Sequence, residues 1–247
     1  MTDFDKEASA ALRSTSDPAA CIYAIGDIHG RLDLLDRAIE AIRRDFGGSG
    51  RTAITVTIGD YIDRGPQSCG VLDRLAANPF PTPYVALKGN HEAIFERFMT
   101  DPSVGDNWRW VGGLETVASF GIAVADMMMG RNYDRAAGAL KLALSPRQSA
   151  FLRSLRPSLS LGRYFLCHAG VRPGIPLEQQ AEQDLLWIRD EFLQSTADFG
   201  KIVVHGHTPG REPQVRPNRI NIDTGAFATG RLTCVVLEAD GHRFLEL

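Results

Sequence analysis

Three apolar runs, Cys21 to Ile25, Thr52 to Ile58 and Tyr84 to Leu87, are each followed by a polar loop and then by apolar residues at helical spacing. That threefold order leaves few folds open. A short buried strand, a loop and a helix returning over the sheet make one βα unit, and three in succession predict an α/β sheet that binds its ligand beyond the carboxyl ends of its strands. In the first unit Gly26 closes the strand, Asp27-Ile28-His29-Gly30 form the loop, and Leu32, Leu35, Ile39 and Ile42 mark a helix stopped by Gly47-Gly48-Ser49-Gly50. The second loop is Gly59-Asp60-Tyr61-Ile62-Asp63-Arg64-Gly65, with Pro66 expected at the first helical position and the helix running through Val71, Leu72 and Leu75 to Asn78-Pro79. The third is Lys88-Gly89-Asn90-His91-Glu92, ahead of Phe95, Phe98 and Met99.

Residues 100 to 156 change character, with helical spacing and no strand signal, and Ser145-Pro146-Arg147-Gln148 carries a capping box with Pro at the first helical position. We read a helical insertion over about 92–156. Trp108, Trp110 and Met127, Met128 and Met129 within it are expected in the core rather than along a substrate groove, the commoner fate of apolar residues in helices. Strand signals return at 159–161, 164–167, 202–204, 219–222, 232–237 and 244–247, with Asp240-Gly241 as a hairpin turn, so the second half is expected to form a mostly β layer. Residues 1–20 mix Asp, Lys, Glu, Ser and Ala without an apolar run and read as a flexible leader, neither secretory signal nor membrane anchor. With no repeat and no interdomain linker, 21–247 reads as a single domain.

Composition narrows the function classes. The net charge of −3 comes from 27 basic and 30 acidic residues without a Lys/Arg block, which argues against a nucleic-acid groove and an anionic membrane surface. Cys21, Cys69, Cys167 and Cys234 stand singly, so free thiols in a reducing, cytoplasmic setting are expected rather than disulfides or a zinc knuckle.

An Asp-x-x-Asp-Arg stretch alone is most often a solvated ion pair. Here it gains force from five of the six histidines: His29, His91, His168, His205 and His207 each follow an apolar run closely and lie within two residues of Gly or Asn. Asp27, His29, Asp60, Asn90, His168 and His207 make a mixed oxygen and nitrogen ligand set drawn from five strand ends. Such a set suits two divalent ions such as Mn²⁺, Fe²⁺ or Zn²⁺ and is too rich in nitrogen for Ca²⁺.

The blocks G-D-I-H-G at 26–30, G-D-Y-I-D-R-G at 59–65, G-N-H-E at 89–92, C-H-A-G at 167–170 and G-H-T-P at 206–209 resemble, in content and order, the signature of the calcineurin-like metallophosphoesterases. More narrowly, they are similar to the phosphoprotein phosphatases of bacteria and bacteriophages, and I-D-T-G-A at 222–226 also resembles the bacterial branch. The resemblance implies a central β-sandwich flanked by helices in α/β/β/α order, with a dinuclear metal centre, Mn²⁺ favoured, at the loop end. It implies that Asp27 and His29 bind one ion, that Asn90, His168 and His207 bind the other, and that Asp60 bridges them. A hydroxide shared by the two ions would attack phosphorus in line. Arg64 and Arg189, the latter in a block similar to the bacterial W-x-R, would clamp the phosphate oxygens, while His91 protonates the leaving alkoxide and Asp63 orients His91.

Two departures and two rival functions accompany that expectation. Lys88 stands where many relatives have Arg, which alters a groove wall and leaves the ligands untouched. On a continued strand His205 would share a face with His207, and so it stays open as a residue that steadies a metal ligand from behind or as a competing ligand. The expected activity is hydrolysis of phosphoserine and phosphothreonine, with phosphotyrosine open, in proteins or peptides, along a groove walled by 92–156 and 170–184. The alternatives are a diadenosine polyphosphate hydrolase and a catalytically silent binding module, the latter disfavoured by the presence of Asp63, Arg64 and His91.

Overall fold

The alternation of Cys21–Ile25 (β1) sends Ile22 and Ala24 to one face of a sheet and Cys21, Tyr23 and Ile25 to the other, and both faces are buried. A strand buried on both sides needs a layer on each, and the computed structural model, which describes residues 21–48 and 50–247, supplies them. The leader expected over 1–20 lies outside the described residues. Around β1 come Leu32–Phe46 (α1), Ala53–Thr57 (β2), Ser68–Ala76 (α2), Tyr84–Ala86 (β3) and Asn90–Thr100 (α3). Strands β1, β2 and β3 pair in parallel, as the repeated unit demands.

The second sheet is built from Ser158–Leu161 (β4), Tyr164–Cys167 (β5), Ile202–His205 (β6), Gln214–Arg216 (β7) and Arg219–Asn221 (β8), in the order β4-β5-β6-β8-β7. The last two strands, Cys234–Leu237 (β9) and His242–Phe244 (β10), return to the first sheet, whose order is β10-β9-β1-β2-β3. The expected mostly β second half is therefore divided between two sheets, because β9 lies antiparallel on the free edge of β1. Ile22, Ala24, Ile54 and Val56 meet Leu159, Leu166, Val204 and Ile220 between the sheets. The other face of the first sheet packs on α1, α2 and the helical insertion. Phe165, Cys167 and Val203 on the outer face of the second sheet pack on Leu185 and Phe192. This is the α/β/β/α sandwich expected from the resemblance.

Several local expectations fail for identifiable reasons. Pro66 stays in the loop, since the Gln67 N–H donates to Gly30 O and holds the chain there until α2 starts at Ser68. Strand β7 gave no signal because all three of its residues are exposed, with Val215 at 48%. The final strand covers 242–244 rather than 244–247, in register with the turn at Asp240-Gly241. Of the insertion's large apolar residues Trp108 and Met127 are buried as expected, whereas Trp110, Met128 and Met129 are exposed. Cys21, Cys167 and Cys234 are buried free thiols and Cys69 is half-buried. Among the described residues no helix is long and apolar enough to cross a membrane.

Candidate metal centre

Parallel strands point their carboxyl ends the same way, and both sheets contain three of them: β1, β2 and β3 in one, β5, β6 and β8 in the other. The segments leaving these six strands carry Asp27 and His29, Asp60 to Arg64, Asn90 and His91 (the first residues of α3), His168, His207 and Asp223 respectively. The sandwich thus gathers residues spread over nearly two hundred positions of sequence into one cluster. The loops are sharply bent: His29, Asp60, Asp63, Arg64 and His207 all have φ between 44° and 70°. Each left-handed non-glycine residue costs about 1 kcal/mol or more, a strain that folded chains retain mainly at working sites.

Asp60 is the hub. One carboxylate oxygen lies 3.4 Å from His29 Nε2 and 3.8 Å from His91 Nε2, the other 3.4 Å from His168 Nε2. Two groups of potential ligand atoms share it, His29, Asp60 and His91 on one side and Asp60, His168 and His207 on the other. Asn90 Oδ1 joins the second group at 2.8 Å from His168 Nε2 and 2.8 Å from His207 Nδ1.

Hydrogen bonding shows what those short distances mean. His29 Nδ1 donates to Ile62 O at 2.8 Å and His168 Nδ1 donates to Ile58 O at 3.1 Å. A neutral imidazole has one N–H, so each Nε2 is left with a lone pair. Those lone pairs face the oxygens of Asp60 and Asn90, acceptor against acceptor, in a buried site. A proton would relieve the conflict, but burial lowers the basicity of both histidines, that of His29 to about 3. A divalent cation relieves it instead: ligands about 2.0–2.2 Å from one ion at right angles lie about 3 Å apart. The buried His and Asp groups are consistent with a dinuclear centre.

Asp27 takes part from the side. Its Oδ2 accepts the His207 N–H at 3.0 Å, and its buried Oδ1 has no partner. Burial, then the charges of Asp223 and Asp60, push its carboxyl well above the ordinary range, while burial pushes Asp223 up to about 6. Three carboxylates gathered without a cation repel one another, and an ion at Asp27 Oδ1 removes that cost. Asp223, within the I-D-T-G-A block, had no role assigned from sequence.

His91 and Asp63 form a separate pair. His91 Nδ1 donates to Asp63 Oδ2 at 2.7 Å, and its Nε2 accepts from Arg64 Nη2 at 3.2 Å. Burial opposes charge on His91, but Asp60 and Asp63 outweigh it and raise its pKa above the usual value. Asp63 is held by the insertion: Thr116 Oγ1 donates to its Oδ1 at 2.6 Å and Trp108 Nε1 to its Oδ2 at 2.9 Å. Gly112 has φ 111°, and a Cβ there would lie 2.4 Å from Arg64 N, so the insertion fits against this loop through a glycine. The Arg64 guanidinium also rests on the Phe227 ring at 4.9 Å. Arg189 is exposed, and its charge lowers His168 and His207 after the larger effect of burial.

The site therefore brings together Asp27, His29, Asp60, Asn90, His168 and His207 with His91, Asp63 and Arg64, and places Arg189 at its edge. His205 is excluded. Strand β6 ends at His205 and the chain turns at His207 with φ 64°, so strand alternation does not extend across the pair. His205 instead accepts from Arg219 Nη1 at 3.3 Å and packs its edge on Phe192. Sequence reasoning missed Trp108, Thr116, Asp223 and Phe227, and also Glu92, whose buried carboxylate accepts the N–H groups of Asp60, Tyr61 and Gly89 at 2.8–2.9 Å. Glu92 was visible in its block as a capping-box acid; the others carried no local signal.

Residues 22–240 match the family model described as calcineurin-like phosphoesterase. Serine/threonine-protein phosphatase 2 of Escherichia coli is 30% identical over 225 residues, covering 86% of this chain and 90% of that protein. The asymmetrical bis(5'-nucleosyl)-tetraphosphatase PrpE of Anoxybacillus flavithermus is 27% identical over 233 residues, covering 85% and 88%. A crystal structure of a putative diadenosine tetraphosphatase superposes with a TM-score of 0.61 at 20% identity, covering 92% of this chain and 94% of the other, a likeness of fold.

Proposed function

The chain belongs to the calcineurin-like phosphoesterases, and from that premise we propose that it is a metal-dependent phosphomonoesterase acting on phosphoserine and phosphothreonine in proteins. The observation that carries the phosphoesterase reading is the pair of histidine lone pairs turned on a shared carboxylate, Asp60, with the hydrogen-bonded His91–Asp63 pair alongside. Asp27 and His29 would hold one cation, Asn90, His168 and His207 the other, with Asp60 common to both. Two such cations supply Lewis acidity and a water acidic enough to ionise near neutral pH.

The remaining work falls to the chain's own groups. Arg64 and Arg189 would bind the nonbridging phosphate oxygens, placing fixed positive charge where it builds up in the transition state. Arg64 must then leave His91 Nε2, which frees that nitrogen to carry a proton. His91 would give this proton to the leaving oxygen, while Asp63 keeps the ring oriented and supports its charge. Trp108 and Thr116 hold Asp63 still.

A protein substrate is supported by the surface beside the centre. A groove of about 760 Å³ runs between Ala93, Ile94 and Arg97 of α3, Asn107 and Trp110 of the insertion, and Gln183 with Trp187; the Trp187 ring lies 6.3 Å from that of His207. It is open, and Trp110 on its wall is 78% exposed, which suits a chain segment extending away from a phosphorylated residue. The similarity to E. coli phosphatase 2 points the same way. Hydrolysis of dinucleoside polyphosphates is the second reading, favoured by the tetraphosphatase relatives and by indole faces able to stack on a base. The deciding measurement is kcat/KM on metal-loaded enzyme for phosphoserine and phosphothreonine peptides against diadenosine tetraphosphate. A peptide preference supports the proposal; a preference of about tenfold for the dinucleotide, near 1.4 kcal/mol in the transition state, overturns it.

A further inference from the structure

Strands β7 and β8 form a hairpin through Pro217 and Asn218 that sets Arg216 directly opposite Arg219. Residues directly opposite in an antiparallel pair present their side chains on one face, where like charges repel. Arg219 is also only 4% exposed. Its Nη1 donates to His205 Nε2 and its Nη2 to Leu193 O, both at 3.3 Å, and the guanidinium lies over the Phe192 ring at 6.0 Å, so all its partners are neutral. Burial and then the charge of Arg216 lower its pKa, and no carboxylate offsets either effect. Among the described residues neither arginine takes part in an ion pair. A buried cation without a counter-ion and a cross-strand pair of like charges are two unfavourable features at one place, and one anion removes both.

The space for it exists. A pocket of about 450 Å³ lies between the hairpin and residues 193–196, lined by Arg216, Arg219, Ser195 and Thr196 among others. Asn218 Nδ2 ties the turn to this loop by donating to Ser195 O at 3.0 Å and Ala197 O at 2.9 Å, so the wall is fixed rather than collapsed on the guanidiniums. Ser195 Oγ accepts the Ala197 N–H and keeps its own proton for another acceptor. We propose that this pocket is a second anion site, separate from the metal centre, that binds an orthophosphate-sized oxyanion between Arg216 and Arg219. The site reaches the catalytic end through Arg219 and His205, two residues before His207.

The test is thermal unfolding of the metal-loaded protein in inorganic phosphate and in chloride at matched ionic strength, for the parent, Arg216→Ala and Arg219→Gln. All three retain the residues around Asp60, so an increment they share reads the metal centre and the difference between them reads the hairpin. In chloride, Arg216→Ala is expected to be at least as stable as the parent, having lost a repulsion. In phosphate, the parent is expected to gain more than either variant, and the apparent phosphate affinity read from that extra stabilisation should fall about tenfold or more in each, the scale of one charge-assisted contact. Arg216 is exposed, so Arg216→Ala carries the test even where Arg219→Gln fails to fold. Equal phosphate stabilisation of parent and Arg216→Ala, or none in either, overturns the proposal.

Discussion

Thr116→Val isolates the contribution of the helical insertion to the acid pair. The Thr116 hydroxyl donates to Asp63 Oδ1 at 2.6 Å and accepts the Asp63 N–H at 2.9 Å. Valine keeps the volume and removes both contacts. The Asp63 N–H retains Ser68 Oγ at 3.0 Å, so the backbone donor stays satisfied. The carboxylate does not: Oδ1 of a fully buried aspartate loses its donor, while Trp108 and His91 serve only Oδ2. Hydrogen bonds to charged groups contribute about 1.5–3 kcal/mol, and that range is the expected fall in unfolding free energy, read from urea denaturation. Thr116→Ser should recover most of it. Metal content should not change, since no ligand around Asp60 contacts Thr116. A loss below about 0.5 kcal/mol, or a serine variant as unstable as the valine one, refutes the view that this hydroxyl anchors Asp63.

His91→Asn is expected to retain metal but to slow alkyl phosphate esters far more than nitrophenyl phosphate, whose phenolate leaves unprotonated; removing a general acid costs about 10²–10⁴-fold only where protonation matters, so equal losses on both substrates would assign His91 another role. Gly112→Ala should impair both stability and phosphate binding, because its Cβ would lie 2.4 Å from Arg64 N on a backbone with φ 111°. The readouts are the urea midpoint and KM, and unchanged values would show that the insertion does not fit against Arg64 as described.

The sequence carried the site more completely than the fold. Each ligand stands within four residues of a strand end, and the apolar runs of β1, β2 and β5 located those ends closely. The path of the chain between sheets was harder to read, since nothing local to Cys234–Leu237 records that its partner is Cys21–Ile25. Exposed β7 lacked alternation altogether. Strand periodicity cannot place His205, because the strand ends there; the positive φ of His207 depends on tertiary contacts, among them its N–H bond to Asp27. Trp108 and Thr116 were beyond reach for a related reason. Apolar or small residues in a helix look the same whether they fill a core or steady an aspartate some fifty positions away.

A dinuclear centre joined by Asp60 is open to one decisive measurement, metal stoichiometry by elemental analysis of the parent and Asp60→Asn. The substitution keeps the side-chain volume and removes the charge that His29, His91 and His168 surround, so the fold should persist, as judged by circular dichroism. Two divalent ions per chain are expected in the parent, with weakened retention of both in Asp60→Asn, and loss of turnover there as in the chelated parent, activity returning to the parent on adding metal. Full turnover by protein shown to contain no metal, or a parent that never holds more than one ion per chain, would contradict it.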